Sequence, residues 1–137
     1  MEEKINIHAI RMKPGEDLKL SLQNFVLSSK IEAGWIFSGV GSLTKYHLRF
    51  ANQPQGKSSE GFFEIISLSG SLSMHGSHLH IAIADMQGNL IGGHLLDGCI
   101  IYTTAEIIIG ETGTLVFTRE RDNTTTWNEL HIRNRKR

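Results

Sequence analysis

From Gly34 onward the chain is a succession of short β-branched and aromatic runs broken by glycine. They are Trp35–Val40, Lys45–Ala51, Phe62–Leu72, Leu79–Ala84, Leu90–Leu95, Ile100–Ile109, Thr114–Thr118 and Thr126–Ile132. Strands at this spacing, joined by tight turns such as Asp85–Asn89 and Gly110–Gly113, predict a twisted, largely antiparallel sheet. Ahead of them, Ile5 to Arg11 alternates and stops at Pro14-Gly15, which reads as a strand and a turn. Leu18, Leu22, Phe25 and Val26 then form one apolar stripe of a helix that Asp17 can cap and that runs to about Lys30. Gln53–Glu60 is polar, with Pro54 and Gly56, and reads as a surface loop. With no internal repeat and no shift of composition, residues 1–137 are expected to form a single α/β (α+β) domain with one main helix.

Composition narrows the functional classes. The chain has 137 residues, 39% hydrophobic and 20% charged, which is the balance of a globular domain. No apolar run approaches the roughly 18 residues of a membrane helix, so no membrane partner is expected. Met1-Glu2-Glu3-Lys4 lacks the apolar stretch of a signal peptide. The single cysteine, Cys99, rules out an internal disulfide and fits a reducing, cytoplasmic setting. Fourteen Lys and Arg balance fourteen Asp and Glu, so nothing draws the whole chain to a phosphate backbone. Contact with nucleic acid would need a local patch, and Arg133, Arg135, Lys136 and Arg137 supply the candidate: a short basic tail over residues 133–137. The same four residues also read as a frayed, solvated end.

Histidines give the sharpest chemical signal. His78 and His80 stand two apart on one strand, so both imidazoles leave the same face. His94 closes the neighbouring strand after Gly92-Gly93, whose lack of side chains lets the backbone approach closely. If Asp85–Asn89 is a five-residue loop, Ala84 faces Leu90 and His94 falls opposite His80. A loop one residue longer or shorter would send His94 to the other face. Three imidazoles on one face suit zinc, iron, nickel or copper with a position left open, zinc being the expected ion. The alternative is a set of polar strand histidines bonded to carbonyls or water.

Glu106 and Glu64, each mid-strand, are candidate general bases, or else carboxylates satisfied by Arg49. Cys99 reads as a buried small hydrophobe. Ser67, Ser69, Ser71 and Ser73 alternate along one strand without the Ser-His-Asp order of a nucleophile. No P-loop, GxGxxG or CxxC is present.

Several segments in order carry a resemblance. They are Pro14-Gly15-Glu16-Asp17-Leu18, Gly39-Val40-Gly41-Ser42-Leu43 at the expected close of a strand, and Leu48-Arg49-Phe50-Ala51-Asn52. Phe63-Glu64-Ile65-Ile66-Ser67-Leu68-Ser69-Gly70, His78-Leu79-His80-Ile81, Gly92-Gly93-His94-Leu95 and Thr103-Thr104-Ala105-Glu106-Ile107 follow. Together, over about residues 8–131, they resemble the PPC (plants and prokaryotes conserved) domain in its stand-alone prokaryotic form. The resemblance implies a homotrimer and a DNA-associated regulatory or binding protein, and prokaryotic members carry histidines at the three positions noted above. In plants the domain follows an AT-hook, which this sequence lacks. Fold alone does not fix function. A metal-dependent enzyme acting on a small molecule and a ligand-sensing trimer therefore stand beside the DNA-associated reading, and a regulatory protein beside DNA as partner.

Overall fold

The computed structural model describes residues 3–136. In chain order these form β1 (Ile5–Met12), α1 (Leu18–Ser29), β2 (Gly34–Arg49), β3 (Lys57–Leu72) and β4 (His78–Ala84). There follow β5 (Leu90–Leu95), β6 (Ile100–Thr112), β7 (Leu115–Arg121) and β8 (Asn128–Asn134). The expected architecture, a mostly antiparallel sheet with one helix, is what forms. Six strands lie in the order β1-β6-β2-β3-β4-β5, each pair antiparallel. The end of β2 also pairs with β5, through Leu48↔Leu95 and Arg49↔His94. Strands β2 to β5 therefore close into a small ring. β7 and β8 form a separate two-stranded ribbon.

Helix α1 begins where Asp17 accepts the Leu20 N–H at 3.1 Å. The second Asp17 carboxylate oxygen accepts the Gly98 N–H at 2.7 Å, so one side chain both caps the helix and ties it to the turn before β6. Lys30 ends the helix in the left-handed conformation at φ 54°. Leu18, Leu22 and Val26 are buried and Phe25 is packed against them, as the stripe predicts. They meet Met12, Ile31, Leu72, Ile101, Ile107 and Ile109 in one continuous core. The other face of the sheet leaves Phe37, Val40, Phe62, Ile66 and Tyr102 exposed.

Two expectations are corrected. The runs Trp35–Val40 and Lys45–Ala51 belong largely to one strand, β2, and Gly39–Leu43 lies in its middle instead of closing it. Register shifts at Ile36/Ser38, Gly41/Leu43 and Leu43/Lys45 mark bulges, which bend β2 so that it serves β6 at one end and β5 at the other. Gly41 is there because any β-carbon would collide with the Thr104 carbonyl of β6. The second correction concerns Gln53–Glu60, since Lys57–Glu60 already belongs to β3. These residues pair with Lys45–Leu48 but are exposed, so hydropathy gives no sign of the strand.

Candidate metal centre

The Asp85–Asn89 loop has the length that the parity argument required. Asp85 donates its N–H to the Asn89 carbonyl at 3.0 Å, and its side chain accepts the Gln87 and Asn89 N–H groups at 2.9 Å. Ala84 consequently faces Leu90, and His80 faces His94. On the far side of β5, His94 faces Arg49 of β2, and on the far side of β4, His80 faces Ser69 of β3. Directly opposed residues of an antiparallel pair project to the same side. Arg49, His94, His80 and Ser69 thus form one row across four strands, with His78 one step away along β4. Gly93 allows the close approach of β5 to β2, since a β-carbon there would lie 2.8 Å from the Arg49 carbonyl.

The three imidazoles converge. His78 Nε2 and His80 Nε2 are 3.1 Å apart, and one ring nitrogen from each of His78, His80 and His94 lies within 4.8 Å of the others. Nitrogens bound tetrahedrally to one zinc are separated by roughly 3.3 Å, given bonds of about 2.0–2.1 Å. Burial, followed by the nearby His78 and Arg49, holds His94 down to a pKa of about 4. Burial and then His80 lower that of His78. Both are neutral at pH 7, which is the form that ligates. His94 Nδ1 is buried without a hydrogen-bond partner, which suits an imidazole fixed by a metal rather than by a protein group. These residues fit a divalent metal.

His78 and His94 border a cleft of about 420 Å³, and His80 faces a separate recess beside Arg49 and Gly93. Arg49, Arg119, Trp127 and Glu129 share the wall of the cleft with His78 and His94. Arg119 is fixed by donating from Nη2 to Ser71 Oγ at 2.8 Å, and Arg49 lies over the Trp127 ring at 5.5 Å from its centroid. Arg119, Trp127 and Glu129 reach the site from the β7–β8 ribbon, which docks through the Phe117 N–H to the Glu32 carbonyl at 2.8 Å. Sequence reading missed these three. Arg119 on β7, Trp127 in the loop after it and Glu129 on β8 carry no pattern that distinguishes them from ordinary surface residues.

The other candidates lie elsewhere. Glu106, exposed on β6, stands opposite Val40 and Arg11. Glu64, exposed on β3, stands opposite Ser42 and Ala84 and borders a different recess with Phe62 and Tyr102. Arg49 forms no ion pair with either; it turns to Trp127 and His94. In the basic tail, Arg133 is on β8 and bonds Glu120 at 2.6 Å, while Arg135 bonds Glu32 at 3.0 Å. Two of its cations are therefore held by carboxylates, Lys136 is exposed, and Arg137 lies outside the described residues. Cys99 is fully buried, as expected, with its thiol pushed up to about 11 by burial.

Comparison with known proteins accords with the fold. A solved structure of a hypothetical protein from Salmonella enterica superposes with a TM-score of 0.95 at 39% identity over 99% of both chains. A metal-containing protein from Archaeoglobus fulgidus shares the fold, with a TM-score of 0.80 at 23% identity over 95% of this chain and 96% of that one. Among sequences, the chain is 44% identical over 128 residues to the bifunctional protein GlmU of Synechococcus sp. (strain JA-3-3Ab). That match covers 93% of this chain and 21% of the relative, so the chain spans about a fifth of that protein. It is 30% identical over 112 residues to AT-hook motif nuclear-localized protein 8 of Arabidopsis thaliana, covering 75% of this chain and 29% of the relative. The family model of the Plants and Prokaryotes Conserved domain, abbreviated PCC or PPC, matches residues 1–113. The chain belongs to the Plants and Prokaryotes Conserved domain family.

Proposed function

We propose that this domain binds a divalent metal, zinc foremost, through His78, His80 and His94, and binds a small molecule in the adjoining cleft. The observation that carries this reading is the direct opposition of His80 and His94, with His78 Nε2 3.1 Å from His80 Nε2. A bound metal would supply Lewis acidity and a water whose pKa falls toward about 7. The protein's own part is to hold three imidazoles on one sheet face and to wall the cleft with two guanidinium groups. Glu129 borders this cleft whereas Glu64 and Glu106 do not, so a proton-accepting role there falls to Glu129. Zinc titration of chelator-treated protein tests the reading. It predicts about one zinc per chain, lost in His80→Ala with the fold retained; no uptake, or undiminished uptake by the variant, overturns it.

A second reading, association with DNA, draws on the AT-hook name of the plant relative and on the basic tail, in which Arg133 and Arg135 already pair with Glu120 and Glu32. It predicts duplex binding that weakens steeply with salt and loses most of its salt slope in a triple Arg133→Gln, Arg135→Gln, Lys136→Gln variant. No binding at low ionic strength would remove it. A homotrimer, in a cytoplasmic setting, accords with the resemblance and with the exposed Phe37, Val40, Phe62, Ile66 and Tyr102. Light scattering at micromolar concentration should then give three chain masses, and one chain mass would exclude it.

A further inference from the structure

We propose that the cleft beside the histidines is an oxyanion site, in which Arg49 and Arg119 clamp the carboxylate or phosphate of a small molecule, and that the β7–β8 ribbon sets which molecule is taken. The inference deepens the metal-centre reading and rests on it for the second point of attachment, the metal itself.

Charge is the first argument. Among the described residues, neither Arg49 nor Arg119 forms an ion pair, although the same chain pairs Arg133 with Glu120 and Arg135 with Glu32. Both guanidinium groups are partly buried at the cleft wall. Glu129 on the same wall is the carboxylate whose charge acts on Arg119, so two guanidinium groups face one carboxylate in the cleft, and the unbalanced positive charge, partly withdrawn from water, favours an anion there.

The second argument is geometry. Ser71 engages Arg119 through Nη2, and the Trp127 ring supports Arg49 from its face. Each contact fixes its guanidinium while leaving other N–H groups of the fork free, and that fork matches carboxylate or phosphate oxygens. The opposition of Arg49 and His94 puts one guanidinium beside one metal ligand. An oxyanion there would meet both.

An unmet polar group is the third. Ser77 Oγ, on the same wall, is buried with no hydrogen-bond partner. Buried hydroxyls in folded proteins are nearly always satisfied, so a ligand oxygen or a water completes this one. The space, about 420 Å³, is that of a small-molecule site. Glu129 on the rim repels a polyanion such as a nucleic-acid strand and suits a ligand that carries a hydroxyl or ammonium donor besides its oxyanion.

Origin of the wall is the last. His78, His80, His94 and Arg49 lie within the family match at residues 1–113, whereas Arg119, Trp127 and Glu129 lie beyond it. The metal ligands thus lie within the matched segment, while the ligand cleft is shared between Arg49 inside it and Arg119, Trp127 and Glu129 beyond it.

Calorimetric titration with inorganic phosphate and with malonate, on zinc-loaded and on chelator-treated protein, tests the proposal. Saturable binding of at least one probe is expected, weakened about tenfold or more in both Arg49→Gln and Arg119→Gln, with melting temperature and zinc uptake unchanged. Preference between the probes tells a phosphate ligand from a carboxylate one. Zinc uptake without arginine-dependent anion binding overturns the oxyanion site alone. Arginine-dependent binding to chelator-treated protein that takes up no zinc overturns the metal centre and leaves the oxyanion site standing. Saturation by neither probe in either form, or arginine variants that bind as wild type does, refutes the oxyanion site.

Discussion

His80 and His94 stand directly opposite each other across β4 and β5, their ring centroids 5.7 Å apart, and Arg49 faces His94 from the other side. This places two candidate ligands and one clamping guanidinium in a single row across the closed ring of strands. The row depends on the five-residue Asp85–Asn89 loop, because the side-chain period of a strand is two.

Stability of the metal-free protein should fall as the medium is acidified. His94 is held at about 4 by burial and by His78 and Arg49, against an ordinary value of 6.5. Between those values the unfolded chain takes up a proton that the folded chain refuses, so stability present above pH 6.5 declines as pH drops toward 4. His78, shifted in the same direction, adds to the slope. Calorimetry in chelator across this range should show melting temperature falling with pH, with a shallower slope in His94→Asn. Equal slopes would contradict the shift.

Gly70→Ala should damage both fold and site. Gly70 has φ +137°, and a β-carbon there would collide with the His78 carbonyl. The cost should exceed about 1 kcal/mol, and zinc uptake should weaken because the start of β4 must move. Gly88→Ala is the contrasting case: φ is +82° but nothing lies within 4 Å of the added carbon. It should cost about 1 kcal/mol and leave zinc uptake intact. Denaturant melts with parallel metal titrations distinguish the two.

Cys99 should be inert in the folded state. Its thiol is buried, raised to about 11, and held between the His47 N–H at 3.3 Å and the His47 carbonyl at 3.4 Å. A thiol reagent at pH 8 should modify the chain only after denaturation. Rapid labelling of native protein would show that this part of the core opens.

What was legible in the sequence was local. The helix could be read because Leu18, Leu22, Phe25 and Val26 share one face and Asp17 caps it, and the histidine row because loop length fixes strand parity. Gly39 and Gly41 misled because glycine signals both turns and close strand approach, and only the position of β6 decides between them. Lys57–Glu60 was hidden because its pairing to β2 is made by the backbone, which hydropathy does not register. Arg119, Trp127 and Glu129 were unreadable for a third reason: the docking of one ribbon onto the end of another sheet brings them to His78, and no periodicity encodes that contact.

The most direct measurement is an anomalous-difference map from crystals grown with zinc, collected at the zinc absorption edge. The account predicts one strong peak per chain, at bonding distance from His78, His80 and His94 together and open toward the cleft lined by Arg49 and Arg119. A map with no peak there, in crystals whose zinc appears only at surface sites, would contradict the metal centre on which the proposed function rests.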